Sequence, residues 1–216
     1  MSDSTDLFLQ VRTAHRLLAS YYQRVHQLIS EVIENDDLNL APLMWNSAKF
    51  TIPGNRSTNM LERWAWDMLP GVASNFFFYH GDEKGKQALG DWMLAIQHIS
   101  DTGVFDENID GTEEPDGKDI EKSVTESETV LRFYIHAPHQ KMAYHWIDTI
   151  WNDTDYAQVD SEQPVQCLDI NDRDKIYVSA FEMKVSELMG QGSAKKLIER
   201  IIEHRNAVLP PKNCSL

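Results

Sequence analysis

An α+β fold is the architecture this 216-residue sequence predicts: a mainly antiparallel sheet of about four to six strands, packed by a long N-terminal helix and a C-terminal helix. Three observations predict it. Each end of the chain carries an amphipathic helical pattern, and the segments between hold short apolar and alternating runs bounded by turn residues. Those runs do not alternate regularly with helices, which disfavours a doubly wound parallel sheet built on helical crossovers.

The first helix is expected from about Asp6 to Glu34. Leu7, Val11, Ala14, Leu18, Tyr21, Val25, Leu28 and Val32 are spaced 4-3-4-3-4-3-4, an unbroken heptad seam. Leu17, Tyr22, Ile29 and Ile33 widen it into a stripe suited to lying across the protein's own sheet. The seam also allows a homodimer through this helix. Ser4 or Thr5 can cap its start, and Asp6 complements the positive end of the dipole. From Asn35 to Pro70, Pro42, Pro53, Gly54 and Pro70 break the pattern, although Met44, Trp45, Phe50, Leu61, Trp64 and Trp66 demand something to cover. The expectation there is a folded-over connection with a short helix within Asn59–Leu69.

Ser74–His80 reads as an aromatic strand. Asp91–Ser100, between Gly90 and Asp101-Thr102-Gly103, reads as another, although as a helix it would be apolar nearly all round. Thr129–Ala137 alternates cleanly: Leu131, Phe133 and Ile135 face one way, and Val130, Arg132, Tyr134 and His136 the other. Pro138 stops it. Met142, Ala143, Trp146, Ile147 and Ile150 give Lys141–Trp151 a helical spacing, and Lys175–Val185 reads as a strand. Ser193 is expected to cap a last helix reaching about Asn206, followed by a frayed tail from about residue 209. With no internal repeat and no clean linker, residues 1–216 form one domain.

The formal net charge is −14, from 20 basic and 34 acidic residues, and it is unevenly spread. Between Asp101 and Glu128 eleven acids face only Lys118 and Lys122, so that stretch alone carries −9. It is expected to be a solvated, mobile acidic loop at about 102–127. A nucleic-acid reader needs a basic face to neutralise phosphates, and anionic membranes attract polybasic segments. Neither is supplied, so direct nucleic-acid and membrane partners are not expected. No apolar run approaches the ~18 residues of a membrane span. The two cysteines, Cys167 and Cys214, do not make a disulfide framework, and the expected compartment is the cytoplasm.

Two constellations resemble parts of metal sites. Asp106, Asn108 and Asp110 with Gly111 match positions 1, 3, 5 and 6 of a calcium loop, but position 12 is Gly117 and Pro115 intrudes. His136, His139 and His145 fall within ten residues, and with Asp148 they offer imidazole and carboxylate ligands. In that reading His136, His139 and Asp148 bind a divalent metal while His145 serves as general base of a metal-dependent hydrolase. The spacing lacks the His-Glu-x-x-His pattern, and neither a phosphate loop nor a nucleophile elbow occurs. With no complete catalytic motif, the sequence favours a non-catalytic, cytoplasmic interaction or regulatory protein that needs no cofactor. Its acidic and amphipathic surfaces point to a protein partner, a basic one by charge complementarity.

Overall fold

The computed structural model describes residues 4–50, 64–82, 85–107, 114, 116–152, 154, 157–170 and 174–209. Six strands form one sheet: β1 (Ala41–Ser47), β2 (Ala73–His80), β3 (Trp92–Ile99), β4 (Val130–Pro138), β5 (Gln166–Ile170) and β6 (Asp174–Lys184). Their spatial order is β1-β2-β3-β4-β6-β5, and every neighbouring pair is antiparallel. Helices α1 (Ser4–Ile33), α2 (Thr102–Asp106) and α3 (Ser193–Val208) complete the main elements. The fold is α+β, as the sequence predicts.

The sheet carries apolar layers on both faces. On one, Val25, Leu28, Ile29 and Val32 of α1 and Leu197, Ile201 and Val208 of α3 join Leu94, Ile96, Leu131, Phe133, Ile135 and Phe181. On the other, Phe77, Met93, Ala95, Tyr134 and Val178 join Trp146, Ile147, Ile150 and Trp151 of a π-helical turn, Trp146–Trp151. Covering both faces explains why every residue of β3 is buried and why its sequence reads as apolar all round. Across the second face runs a row of polar side chains in register: Asn46, Asn75, Gln97, Arg132 and Glu182. Asn75 donates to Asn46 and Gln97 donates to Asn75, each at 3.1 Å, while Arg132 Nε donates to Glu182 at 2.7 Å. The buried amides thus satisfy one another.

Three local expectations are corrected. Lys141–His145 is not helical: Gln87 and Met142 exchange backbone hydrogen bonds at 2.9 and 3.0 Å. The fully buried Gln87 side chain also donates to the Tyr144 carbonyl and accepts from its N–H, which holds this stretch extended until His145 caps the π turn. Ser193 does not cap α3. Gly192 takes that position at φ +81°, in the left-handed region glycine tolerates, and the Ser193 hydroxyl instead donates to the Gly190 carbonyl at 2.7 Å. The Asn35–Pro70 connection holds an edge strand, β1, whose register shifts between Pro42 and Met44. Proline is tolerated at such an edge. Part of the expected short helix, residues 59–63, lies outside the described residues, and Ala65–Met68 forms a single 3-10 turn.

Candidate functional site

The chain leaves β3 at Ser100 and enters the acidic stretch at one end of the sheet. Asp101 accepts a hydrogen bond from the Val104 N–H at 3.2 Å and so caps α2. Lys49 closes the other end of that short helix, donating to the carbonyls of Phe105 (2.5 Å) and Glu107 (2.8 Å). Burial lowers the pKa of Lys49, while Asp106 and Glu107 oppose that shift. Arg132 of the polar row lies 5.5 Å from the Phe105 ring centre. Thr102 Oγ1 accepts from the Glu128 N–H at 2.9 Å and from Lys122 Nζ at 3.1 Å. At Gly103 a Cβ would meet the Ser127 hydroxyl at 2.4 Å, so α2 packs against the 123–127 turn with only glycine's clearance. The expected loop therefore opens with a helix, and Val104, Phe105 and Ile120 of this stretch join a cluster with Phe50, Val72, Ala73, Trp64 and Trp66.

Two clefts lie along this pole. One, about 420 Å³, is lined by Gly103, Asp106, Glu107, Glu121, Lys122 and Glu126, four acids against one lysine. Ser123 donates to Glu126 from its hydroxyl at 2.5 Å and from its N–H at 3.2 Å, which lowers the Glu126 pKa and keeps that carboxylate ionised. The other cleft, about 560 Å³, is lined by Ala65, Trp66, Leu69, Glu114, Asp116 and Gly117. The Trp66 ring stacks on Phe50 at 5.3 Å, and the Trp66 backbone N–H donates to Glu114 at 3.1 Å. A Cβ on Gly117 would sit 3.3 Å from the Trp66 ring, so glycine lets the chain pass closely over the indole. Two carboxylates beside an indole are the chemistry that receives a guanidinium or ammonium group.

The metal-site candidates fare differently. His136 is fully buried on the second face of the sheet, its ring edge-on to Trp151. Burial pushes its pKa down to about 3, and its Nδ1 has no hydrogen-bond partner among the described residues. His139 is exposed, and its ring rests on Tyr177, which borders the helix-covered layer on the other face. Residues three apart at a strand exit take opposite faces, so His136 and His139 are not brought together. His145 and Asp148 do meet, Nδ1 to Oδ2 at 3.1 Å, but as an exposed pair at the start of the π turn. Among the described residues, no group of three or more His, Cys, Asp or Glu side chains is gathered for a metal. Of the calcium-loop candidates, Asp106 ends α2 and lines the acidic cleft, whereas Asn108 and Asp110 lie outside the described residues. Cys167 is an exposed free thiol on the edge strand β5, and Cys214 lies outside the described residues.

One contact has the form of a nucleophile and base: Ser179 Oγ lies 2.8 Å from His204 Nδ1. Ser179 is completely buried and also donates to the Pro164 carbonyl, so the contact fastens α3 to β6 and offers no route to a substrate. Lys49, Arg132 and the Trp66–Glu114 pairing escape sequence reasoning. The only local signal among them is Arg132, a cation on the buried side of a clean strand.

Fold and surface together define a single-sheet α+β protein with an acidic pole that carries Trp66 beside Glu114 and Asp116. The chain belongs to the PM0109 family, whose model matches residues 1–209. No curated protein and no solved structure matches it.

Proposed function

We propose that this protein is a non-catalytic interaction or regulatory protein that binds a basic protein partner at its acidic pole. The observation that carries the reading is the cleft in which Trp66 lies beside Glu114 and Asp116. An Arg or Lys side chain seated there gains two carboxylates beside the Trp66 indole, and the neighbouring cleft extends the field with Asp106, Glu107, Glu121 and Glu126. Hydrogen bonds from the Trp66 backbone N–H to Glu114, from the Glu121 N–H to Glu107 and from Ser123 to Glu126 hold three of these carboxylates in place. Complementary charge raises the on-rate and selects against acidic partners. A cytoplasmic setting accords with the exposed free thiol of Cys167. Among the described residues no helix is long and apolar enough to cross a membrane.

A nona-arginine peptide, titrated while tryptophan fluorescence is followed, tests the reading. Binding at low salt that weakens steeply as salt is added is expected, together with a loss of at least about tenfold in the Glu114→Lys/Asp116→Lys double variant. No binding at low salt, or equal binding by wild type and the double variant, would overturn it.

A further inference from the structure

Helix α1 is longer than the sheet it packs on. Tyr21 is its first residue tied to the sheet, through a 2.6 Å hydrogen bond to His98, and Val25, Leu28 and Val32 beyond it are buried. Before Tyr21 the helix is exposed on nearly all sides from residue 6 to residue 20. Ser4–Ser20 is therefore an arm about 25 Å long at 1.5 Å per residue. It holds half of the heptad seam (Leu7, Val11, Ala14, Leu18), and Leu7, Phe8, Val11 and Leu17 are each 45% exposed or more. The same pattern that the sheet satisfies over Val25–Val32 leaves Leu7 and Val11 exposed and Leu18 half-buried among the described residues.

We propose that this arm makes the protein a homodimer by pairing antiparallel with the arm of a second copy. The 4-3-4 spacing reads the same in both directions, so a two-fold axis sets Leu7 against Leu18 of the second copy and Val11 against its Ala14. The flanking positions are Phe8, Gln10, His15 and Leu17, none an obligate charge, while Arg12 and Arg16 lie on the outer side. Charge decides the direction. The arm leaves the body where Tyr22 packs against Gly71, beside Ser100 and the start of the −9 acidic stretch. Parallel arms would bring two acidic poles face to face, whereas antiparallel arms hold them about 25 Å apart, well beyond the ~8 Å screening length. The tip of one arm, with Leu7, Phe8 and Leu9, then arrives near the root of the other, where Met68 and Leu69 are exposed. These groups and their symmetry mates offer on the order of 1,000 Å², the lower end for a specific interface.

Sedimentation of the full chain at low to high micromolar concentrations should show the mass rising from 24.9 kDa toward twice that value. Val11→Glu should weaken association at least about tenfold while melting like wild type at concentrations where both are monomeric, since Val11 is exposed among the described residues, and Leu17→Glu should do the same. A wild type that stays monomeric throughout, or a Val11→Glu protein that dimerises like wild type, would overturn the proposal. Orientation is read in a Cys167→Ser/Cys214→Ser background. Val11→Cys protein mixed with Ala14→Cys protein should form the mixed disulfide under mild oxidation, whereas efficient linking of Ala14→Cys to itself would sink the antiparallel arrangement. Peptide binding by the Val11→Glu monomer, measured separately, keeps this outcome distinct from that of the acidic pole.

Discussion

Mild acid should loosen α1 from the sheet, and His98 is the residue to blame. Its ring is buried on β3, shares a 2.6 Å hydrogen bond with the Tyr21 hydroxyl, and lies 5.9 Å from the Tyr22 ring, with His26 as the nearest like charge. Burial, reinforced by His26, pushes its pKa down to about 4 from an ordinary 6.5. Above pH 6.5 both folded and unfolded chains hold the neutral ring, and His98 has no pH effect. Between 6.5 and 4 the unfolded chain takes up a proton that the fold refuses, so stability falls as pH falls. Linkage makes that loss about 2 kcal/mol between pH 7 and pH 5 from His98 alone. His136, pushed down to about 3, adds a similar amount in the same direction. His98→Gln retains an amide able to pair with Tyr21 and cannot titrate in this range. Urea unfolding followed by tryptophan fluorescence at pH 7 and pH 5 supplies the readout. The variant is expected to be the less stable protein at pH 7 and to close about 2 kcal/mol of that gap by pH 5. A gap that stays constant between the two pH values would refute the buried neutral imidazole as the origin of the acid sensitivity.

Two further substitutions address the supports of the second sheet face and the acidic pole. Gln87→Leu removes a side chain that bonds both backbone groups of Tyr144, leaving them without those partners; a loss of about 2–3 kcal/mol is expected in urea unfolding. Hydrogen exchange should localise the damage to Lys141–Trp151, and protection there equal to wild type would count against Gln87 as the brace. Lys49→Met strips the cap from the last carbonyls of α2, and about 1–3 kcal/mol should be lost. A Lys49→Met protein that melts like wild type would show that α2 is held by its packing against Ser127 and Ile120 instead.

The legible parts of the fold are those where one face of an element decides its sequence. On β4, Leu131, Phe133 and Ile135 join the helix-covered layer, while Arg132, Tyr134 and His136 face the other way, so a period of two is visible at once. β3 is harder because both of its faces are buried, and only the flanking glycine and turn residues separate a strand from a helix. β1 and β5 are edge strands with partly exposed residues, and Pro42 looks like punctuation until the register shift beside it is seen. Lys141–His145 misleads for a different reason: a helical spacing is present, but the side chain of Gln87, more than fifty residues earlier, supplies the partners that keep the backbone extended.

The candidate site follows the same logic at longer range. The acids between Asp101 and Glu128 are plain in composition, but composition carries no information about what they stand on. Their scaffold comes from Lys49 on the connection after β1, Thr102 at the start of α2 and the backbone N–H of Trp66. None of these is near its partner in sequence. The histidines show the converse, since proximity in sequence is undone by strand geometry that sends His136 inward and leaves His139 against Tyr177 on the opposite side. A charge count therefore predicts the sign of a partner, while an indole held beside two carboxylates by distant residues marks where one of its side chains is gripped. The two can be separated experimentally. Removing the indole with Trp66→Leu should reduce nona-arginine affinity while leaving its salt dependence intact, whereas reversing Glu114 and Asp116 should flatten that dependence. Identical salt slopes in both variants would mean that the cleft contributes charge alone.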